Sequence, residues 1–190
     1  MKVTLRCAIH LLTLAGLIAF SSTTLAAEEP PFLLPPRQDL SRIRSAEVTT
    51  SRGSFLVELY PEEAPWHIAN FKYRADKGLY RGSSFHIVQP GYIIQGGALK
   101  HGVKGGGMYT LPAEFSPHRH ETGALGMARQ SNDKNPERRS DGSQFHILLG
   151  DAPHMNGSYT IFGKVIRGMD VVESIQRGDP ILEVKVFVRR

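Results

Sequence analysis

Histidine pairs and glycine runs are the first places to look for chemistry in this chain. His118 and His120 stand close together, with His101 as a possible third member, and suggest a metal site. No cysteine and no second acidic cluster completes a recognisable ligand spacing, so they read as exposed loop histidines and no metal is expected. The glycine-rich run 102–107 raises phosphate binding, because bare backbone amides can cradle an anion. It lacks the lysine followed by serine or threonine of a P-loop and does not join a strand to a helix, which leaves a flexible surface loop. Arg138 and Arg139, partly offset by Glu137, make a small basic patch that reads as solvated charge, able at most to favour acidic peptides. Gln95, taken alone, would be a structural side chain satisfying backbone. No cofactor is called for by any of these residues.

The elements that must position such groups follow a segment with its own logic. Lys2 and Arg6 precede an apolar run over 8–20 and then Ser21, Ser22, Thr23, Thr24, Leu25 and Ala26, the pattern of a secretory signal cleaved near Ala26. The run is shorter than the ~20 residues of a membrane span, so no stable anchor is expected after cleavage. The only cysteine, Cys7, falls inside the signal, and the mature chain would carry no thiol for an oxidising compartment to cross-link. An exported protein is expected, periplasmic if the source is Gram-negative. The net charge of +5 falls to +3 once Lys2 and Arg6 are removed, and without a basic run no nucleic-acid partner is expected.

Residues 27–43, with Pro30, Pro31, Pro35 and Pro36, read as an extended, poorly packed tether. From residue 44 to 190 the pattern is that of one mainly β domain. Strands are predicted at 46–50 and 54–59, joined by the Ser51-Arg52-Gly53 turn, and at 84–88, 92–95, 124–127, 143–148, 160–165 and 181–188. Helices are predicted at 65–77, opening on Pro65 with an apolar stripe of Ile68, Phe71 and Ala75, and at 169–176, ending before Gly178. Eight strands must hide their edges, and the expectation is a closed eight-stranded antiparallel barrel capped by the two helices.

Three segments in order carry a family resemblance: Phe85-His86-Ile87-Val88-Gln89-Pro90-Gly91-Tyr92-Ile93-Ile94-Gln95-Gly96-Gly97, then Gly123-Ala124-Leu125-Gly126-Met127-Ala128-Arg129, then Gly142-Ser143-Gln144-Phe145-His146-Ile147. With Asn70-Phe71 and Ile161-Phe162-Gly163-Lys164-Val165 in support, the chain resembles the cyclophilin-type peptidyl-prolyl cis-trans isomerases from about residue 48 to 189, and its compact loops resemble the bacterial branch. The resemblance implies rotation about the peptide bond before proline, whose uncatalysed barrier is ~18–20 kcal/mol. Such chemistry needs no nucleophile, metal or cofactor. The groove must hold the proline ring, grip the flanking carbonyl and stabilise the twisted amide better than either planar form.

By the same resemblance Gln95 and Tyr92 occupy catalytic positions, and Ile87, Ile93, Ala128, Arg129, Gln144, His146, His154, Met155 and Tyr159 line the substrate groove. Several are altered. Ile87 stands where the family carries an arginine that hydrogen-bonds the rotating amide, and losing one preorganised donor commonly costs about 2.7–4 kcal/mol, a rate factor on the order of 10² to 10³. Arg129 is placed to substitute, but bacterial relatives commonly carry it alongside the usual arginine, so rescue is not expected. Tyr92, Ile93 and Met155 replace phenylalanine, methionine and leucine, and His146 brings a titratable imidazole to a wall that is normally a flat apolar ring. His154 falls where many members have tryptophan or phenylalanine, and Tyr159 where many have histidine. The expectation is a monomeric isomerase acting on proline-containing peptides and unfolded exported proteins, with reduced activity. The alternative is a non-catalytic proline-peptide binding module or chaperone on the same fold.

Overall fold

The computed structural model describes residues 29–98 and 109–190. The predicted signal, His101 and the 102–107 glycine run therefore lie outside the described residues. Strand β1 (Ile43–Thr50) and strand β2 (Gly53–Leu59) form the predicted hairpin, with Thr50 opposite Gly53 and Ser45 opposite Glu58. Gly53 takes φ 130°, a backbone conformation that glycine adopts at least cost. Ala46 and Val48 from β1, with Phe55, Val57 and Leu59 from β2, alternate into the core as the period of a strand requires.

The remaining strands are β3 (Ile87–Gln89), β4 (Ile93–Gly96), β5 (Thr110–Leu111), β6 (Ala124–Met127), β7 (Ser140–Asp141), β8 (Phe145–Leu148), β9 (Ile161–Arg167) and β10 (Ile181–Val188). β5 and β7 make a separate two-stranded ribbon, and the other eight form one antiparallel sheet in the order β10-β1-β2-β9-β6-β8-β4-β3. This corrects the expected closed barrel: the sheet is an open half-barrel whose end strands β10 and β3 do not pair. Across the seam runs a single isolated bridge, Ser84 to Pro180, flanked by hydrogen bonds from Phe85 N to Asp179 O (3.0 Å) and from Ile181 N to Ser83 O (2.8 Å). Pro180 occupies the non-hydrogen-bonded position of this bridge, where its missing N–H costs no bond across the seam. Hydrogen bonds from Gly82 N to Ile181 O and from Gly178 N to Phe85 O (both 2.8 Å) extend the contact without making a ladder between β10 and β3.

Inside the curved sheet sit Phe55, Phe71, Tyr80, Phe85, Phe145 and Phe162, with Ile68 and Phe71 supplied by helix α2 (Pro65–Asp76), the first predicted helix. Its N-cap residue is Ala64, which has no side-chain acceptor. Glu114 fills that role from outside the helix, accepting from Trp66 N (3.0 Å) and His67 N (3.1 Å) and pairing with His67 Nδ1 (2.6 Å). It thereby satisfies amides that a helix start leaves without partners. The second predicted helix is present but shorter, as α3 (Met169–Ser174).

The tether expected over 27–43 is corrected where it is described. A short helix α1 (Arg37–Leu40) forms there, Leu40 is buried, and the Phe32 ring packs 5.3 Å from Tyr73 and 6.1 Å from Trp66. Burying two large apolar groups outweighs the extended bias of the prolines around them.

Candidate functional site

Cross-strand register assembles the site. Ile87 lies opposite Gln95, Gln95 opposite His146, His146 opposite Gly126, and Gly126 opposite Ile161. Residues paired in register share a face, so this row crosses five strands, β3-β4-β8-β6-β9, on one side of the sheet. Ile94, Ile147 and Leu125, one residue along their strands from Gln95, His146 and Gly126, point the other way into the main core. Ile93, two residues from Gln95 and opposite Leu148, joins the outer face. The predicted residues from β3, β4 and β8 therefore converge on one surface.

One half of that surface is polar and held by amides. Gln95 Nε2 donates to Gln144 Oε1 (3.0 Å) and lies 3.4 Å from His86 Nε2. Gln144 Nε2 donates to Asp141 Oδ2 (3.0 Å). Ala128 is fixed beside them: its N–H donates to Gln144 O (2.9 Å), and its carbonyl accepts from Asp141 N (2.8 Å). Gln144 and Ala128 are almost buried and Gln95 is half-buried, which leaves Gln95 as the member of the set that a ligand can reach.

The other half is apolar. Tyr92, Ile93 and Tyr159 pack around Ala124, Leu148, Ala152, Met155 and Ile161 in an apolar cluster distinct from the main core. The Tyr92 hydroxyl lies 3.1 Å from Nε2 of the exposed His154 and 3.8 Å from Met155 Sδ. His146 closes the back of this half, 1% exposed, with the His120 ring 6.4 Å away and the Tyr159 ring edge-on at 5.9 Å. Its Nε2 has no hydrogen-bond partner among the described residues. The imidazole lies directly over Gly126, where an added Cβ would come within 2.4 Å of Nε2, so the ring can lie flat only because residue 126 has no side chain. Burial, reinforced by nearby His120, pushes the His146 pKa down to about 3. Burial likewise lowers that of His120, opposed by its hydrogen bond to Asn156. At neutral pH His146 is an uncharged flat ring, serving the pocket much as an aromatic residue would.

Ile87, at the open end of the row, is 37% exposed and offers no hydrogen-bond donor beyond its backbone. Arg129 does not stand in for the missing guanidinium. Its Nε donates to Ser158 O (2.6 Å), its Nη1 to Gln130 O (2.8 Å), and its guanidinium carbon sits 4.5 Å over the Tyr159 ring.

Two side readings are corrected. His120 is a buried residue bonded to Asn156 rather than an exposed loop histidine, and His118 is half-buried with its ring stacked 4.0 Å from Tyr60. Among the described residues no group of three or more histidine, cysteine, aspartate or glutamate side chains could hold a metal ion. Nor is the Arg138-Arg139 pair simply solvated charge. Arg139 donates to Thr110 Oγ1 (2.7 Å) and Thr110 O (3.1 Å), tying its loop to β5, and Arg138 Nη1 donates to Gly157 O (3.1 Å).

Sequence reasoning passed over Asp141 and Gly126, the floor beneath His146, and read His120, which sits behind that ring, only as a loop histidine. Asp141 followed by Gly142 is a turn signal, and aspartate side chains at turns commonly accept from nearby backbone N–H groups, which could have drawn notice. His120 had no local signal, because its place depends on long-range packing.

Residues 45–187 match the family described as cyclophilin type peptidyl-prolyl cis-trans isomerase/CLD. Peptidyl-prolyl cis-trans isomerase B of Bacillus subtilis is 45% identical over 131 residues, covering 68% of this chain and 87% of the relative. A peptidyl-prolyl cis-trans isomerase of Helicobacter pylori is 33% identical over 154 residues, covering 79% of this chain and 90% of the relative. Among solved structures, a cyclophilin type peptidyl-prolyl cis-trans isomerase of Cryptosporidium parvum matches with a TM-score of 0.68 at 27% identity, over 78% of this chain and 99% of its own. A structure of it in the presence of the dipeptide Ala-Pro gives 0.67 at 28%, over 77% and 100%. Matched by the family model over residues 45–187, this chain belongs to the cyclophilin-type peptidyl-prolyl cis-trans isomerase family.

Proposed function

We propose that this isomerase-family protein binds proline-containing segments along the outer face of β3, β4 and β8 and turns them over slowly. The observation that carries the reading is the single cross-strand row in which Gln95 is retained beside an Ile87 that has no side-chain donor. Gln95 holds the peptide backbone. Tyr92, Ile93, Met155, Tyr159 and neutral His146 receive the proline ring, and the solved relative in the presence of Ala-Pro supports a site of that class. As the amide twists, its nitrogen gains lone-pair character and wants a donor, which Ile87 cannot supply. Binding and exclusion of water from the ring remain to lower the barrier, so residual catalysis is expected to fall short by a factor on the order of 10² to 10³.

The segment 1–26 supports export, and the clients of this groove would then be unfolded or extended parts of other exported proteins, bound by a monomer. A protease-coupled assay on proline peptides, varied at the residue before proline, tests the activity. A small rate above background is expected for at least one peptide. Background rates for every peptide, with binding still measurable, would leave the non-catalytic binding module as the function.

A further inference from the structure

Asp141 lies on β7, one residue before the third of the segments that marked the groove. Its Oδ1 accepts from Ser143 N (2.7 Å), Ser143 Oγ (2.9 Å) and Gln144 N (3.0 Å), and its Oδ2 accepts from Gln144 Nε2 (3.0 Å). A carboxylate accepts hydrogen bonds and donates none, so the end of the Gln144 amide that meets it must be the NH2 end. Gln144 therefore turns Oε1 toward Gln95, and that oxygen can be met only by the Gln95 NH2 group, at 3.0 Å. The second hydrogen of the same NH2 faces His86 Nε2 at 3.4 Å, a long contact that is attractive only if Nε2 carries a lone pair. The His86 proton then resides on Nδ1, which is buried and meets no hydrogen-bond partner among the described residues, so the tautomer is set from the Gln95 side alone. Both Gln95 donors are engaged within the protein, and Oε1, with no hydrogen bond among the described residues, is the end left for a ligand.

We infer that Asp141 is a positioning residue that fixes the direction of the Gln144 and Gln95 amides, so that Gln95 presents an acceptor to the groove and meets a backbone N–H of the bound peptide. The inference rests on the proposed reading that Gln95 faces the peptide. The anion matters because a neutral amide at 141 could offer either an oxygen or an NH2 to Gln144. Both glutamine amides would then be free to reverse together.

The test has one arm without peptide and one with it. In the full-length protein, ¹⁵N NMR of the histidine rings should show His86 protonated on Nδ1. A proton on Nε2 overturns the amide relay whatever the protein binds. In Asp141→Asn, which keeps an acceptor for the backbone amides, the His86 tautomers should mix. Unchanged tautomers in that variant, once folded, count against Asp141 as the source of the direction. With Ala-Ala-Pro-Phe as probe, replacing single amides by esters should weaken binding to the wild type at one position by about three- to tenfold, the loss of one hydrogen bond. Asp141→Asn should erase that penalty, because Gln95 can turn its NH2 outward. An ester scan of the wild type that is flat at every position overturns the acceptor assignment. The expected tautomer with no binding of Ala-Ala-Pro-Phe at all would instead sink the groove reading while leaving the relay standing. The wild-type measurements keep the inference testable if Asp141→Asn does not fold.

Discussion

The two halves of the groove are built by opposite rules. The backbone-holding half, Gln95 with Gln144, Ala128 and Asp141, is a chain of hydrogen bonds between 2.8 and 3.0 Å in which each donor meets an acceptor. The other half, around Tyr92, Met155 and His146, is apolar packing backed by the buried His146 and His120 rings, whose Nε2 atoms have no hydrogen-bond partner among the described residues. At the open end of the row, beyond Gln95, stands Ile87, where the proposed reading would look for a charged donor to couple grip to rotation. On the proposed function, the difference teaches that binding and catalysis are separable: the two halves would hold a proline peptide, while Ile87 offers no side-chain donor to favour the twisted amide over the planar one.

The largest effect expected from breaking that separation is on turnover. Ile87→Arg should raise kcat/KM by on the order of 10² to 10³ with little change in peptide affinity, measured by the coupled assay and by titration. A rise in affinity without a rise in kcat would mean that residue 87 governs grip rather than the transition state.

Next comes the acid response of the apolar half. His146 has its pKa depressed by burial from 6.5 to about 3, so below pH 6.5 the unfolded chain takes up a proton that the folded protein refuses. Its contribution to stability is whole above the unfolded value and is lost progressively as pH falls toward 3, by about 2 kcal/mol at pH 5. His146→Phe, matching the ring in size, should remove this part of the slope in chemical denaturation between pH 7 and 5. Equal slopes in the two proteins would show that His146 is more open to water than its packing indicates.

How legible this was follows the range of the interactions. The hairpin at 51–53, the helix opening on Pro65 and the strand at 124–127 were readable because turn residues and alternation are local signals. The barrel's closure was not, since it depends on whether β10 meets β3, a pairing of distant segments that amounts here to the isolated Ser84–Pro180 bridge and its flanking hydrogen bonds. In the site, motif order placed Gln95, Gln144 and His146 in one family pattern, while the opposition of Gln95 and His146 on one face is a matter of strand register that motif order does not carry. Asp141, Gly126 and Glu114 escaped notice because their work is done on partners brought near by folding, with Glu114 capping a helix 48 residues earlier in the chain.

Gly126→Ala sharpens the account of the apolar half. The added methyl would press on the His146 imidazole and approach Thr160 O (3.1 Å), an overpacking expected to cost about 1–3 kcal/mol in denaturant unfolding. Wild-type stability in that variant would mean that the ring has room to move aside. The smallest effect belongs to the polar half: Gln95→Ala should weaken peptide binding by about 0.5–1.5 kcal/mol and leave the acid slope of stability untouched. A change in that slope would show that the two halves are not independent.

The central claim, that the groove grips a proline peptide but rotates it weakly, is tested most directly by two-dimensional NMR exchange on a proline peptide mixed with the wild-type protein, which reports binding and cis/trans turnover in the same sample. The account predicts shifted peptide resonances with exchange only slightly faster than the uncatalysed rate, accelerating strongly in Ile87→Arg. Fast exchange in the wild type would contradict it, showing that rotation proceeds without a donor at position 87.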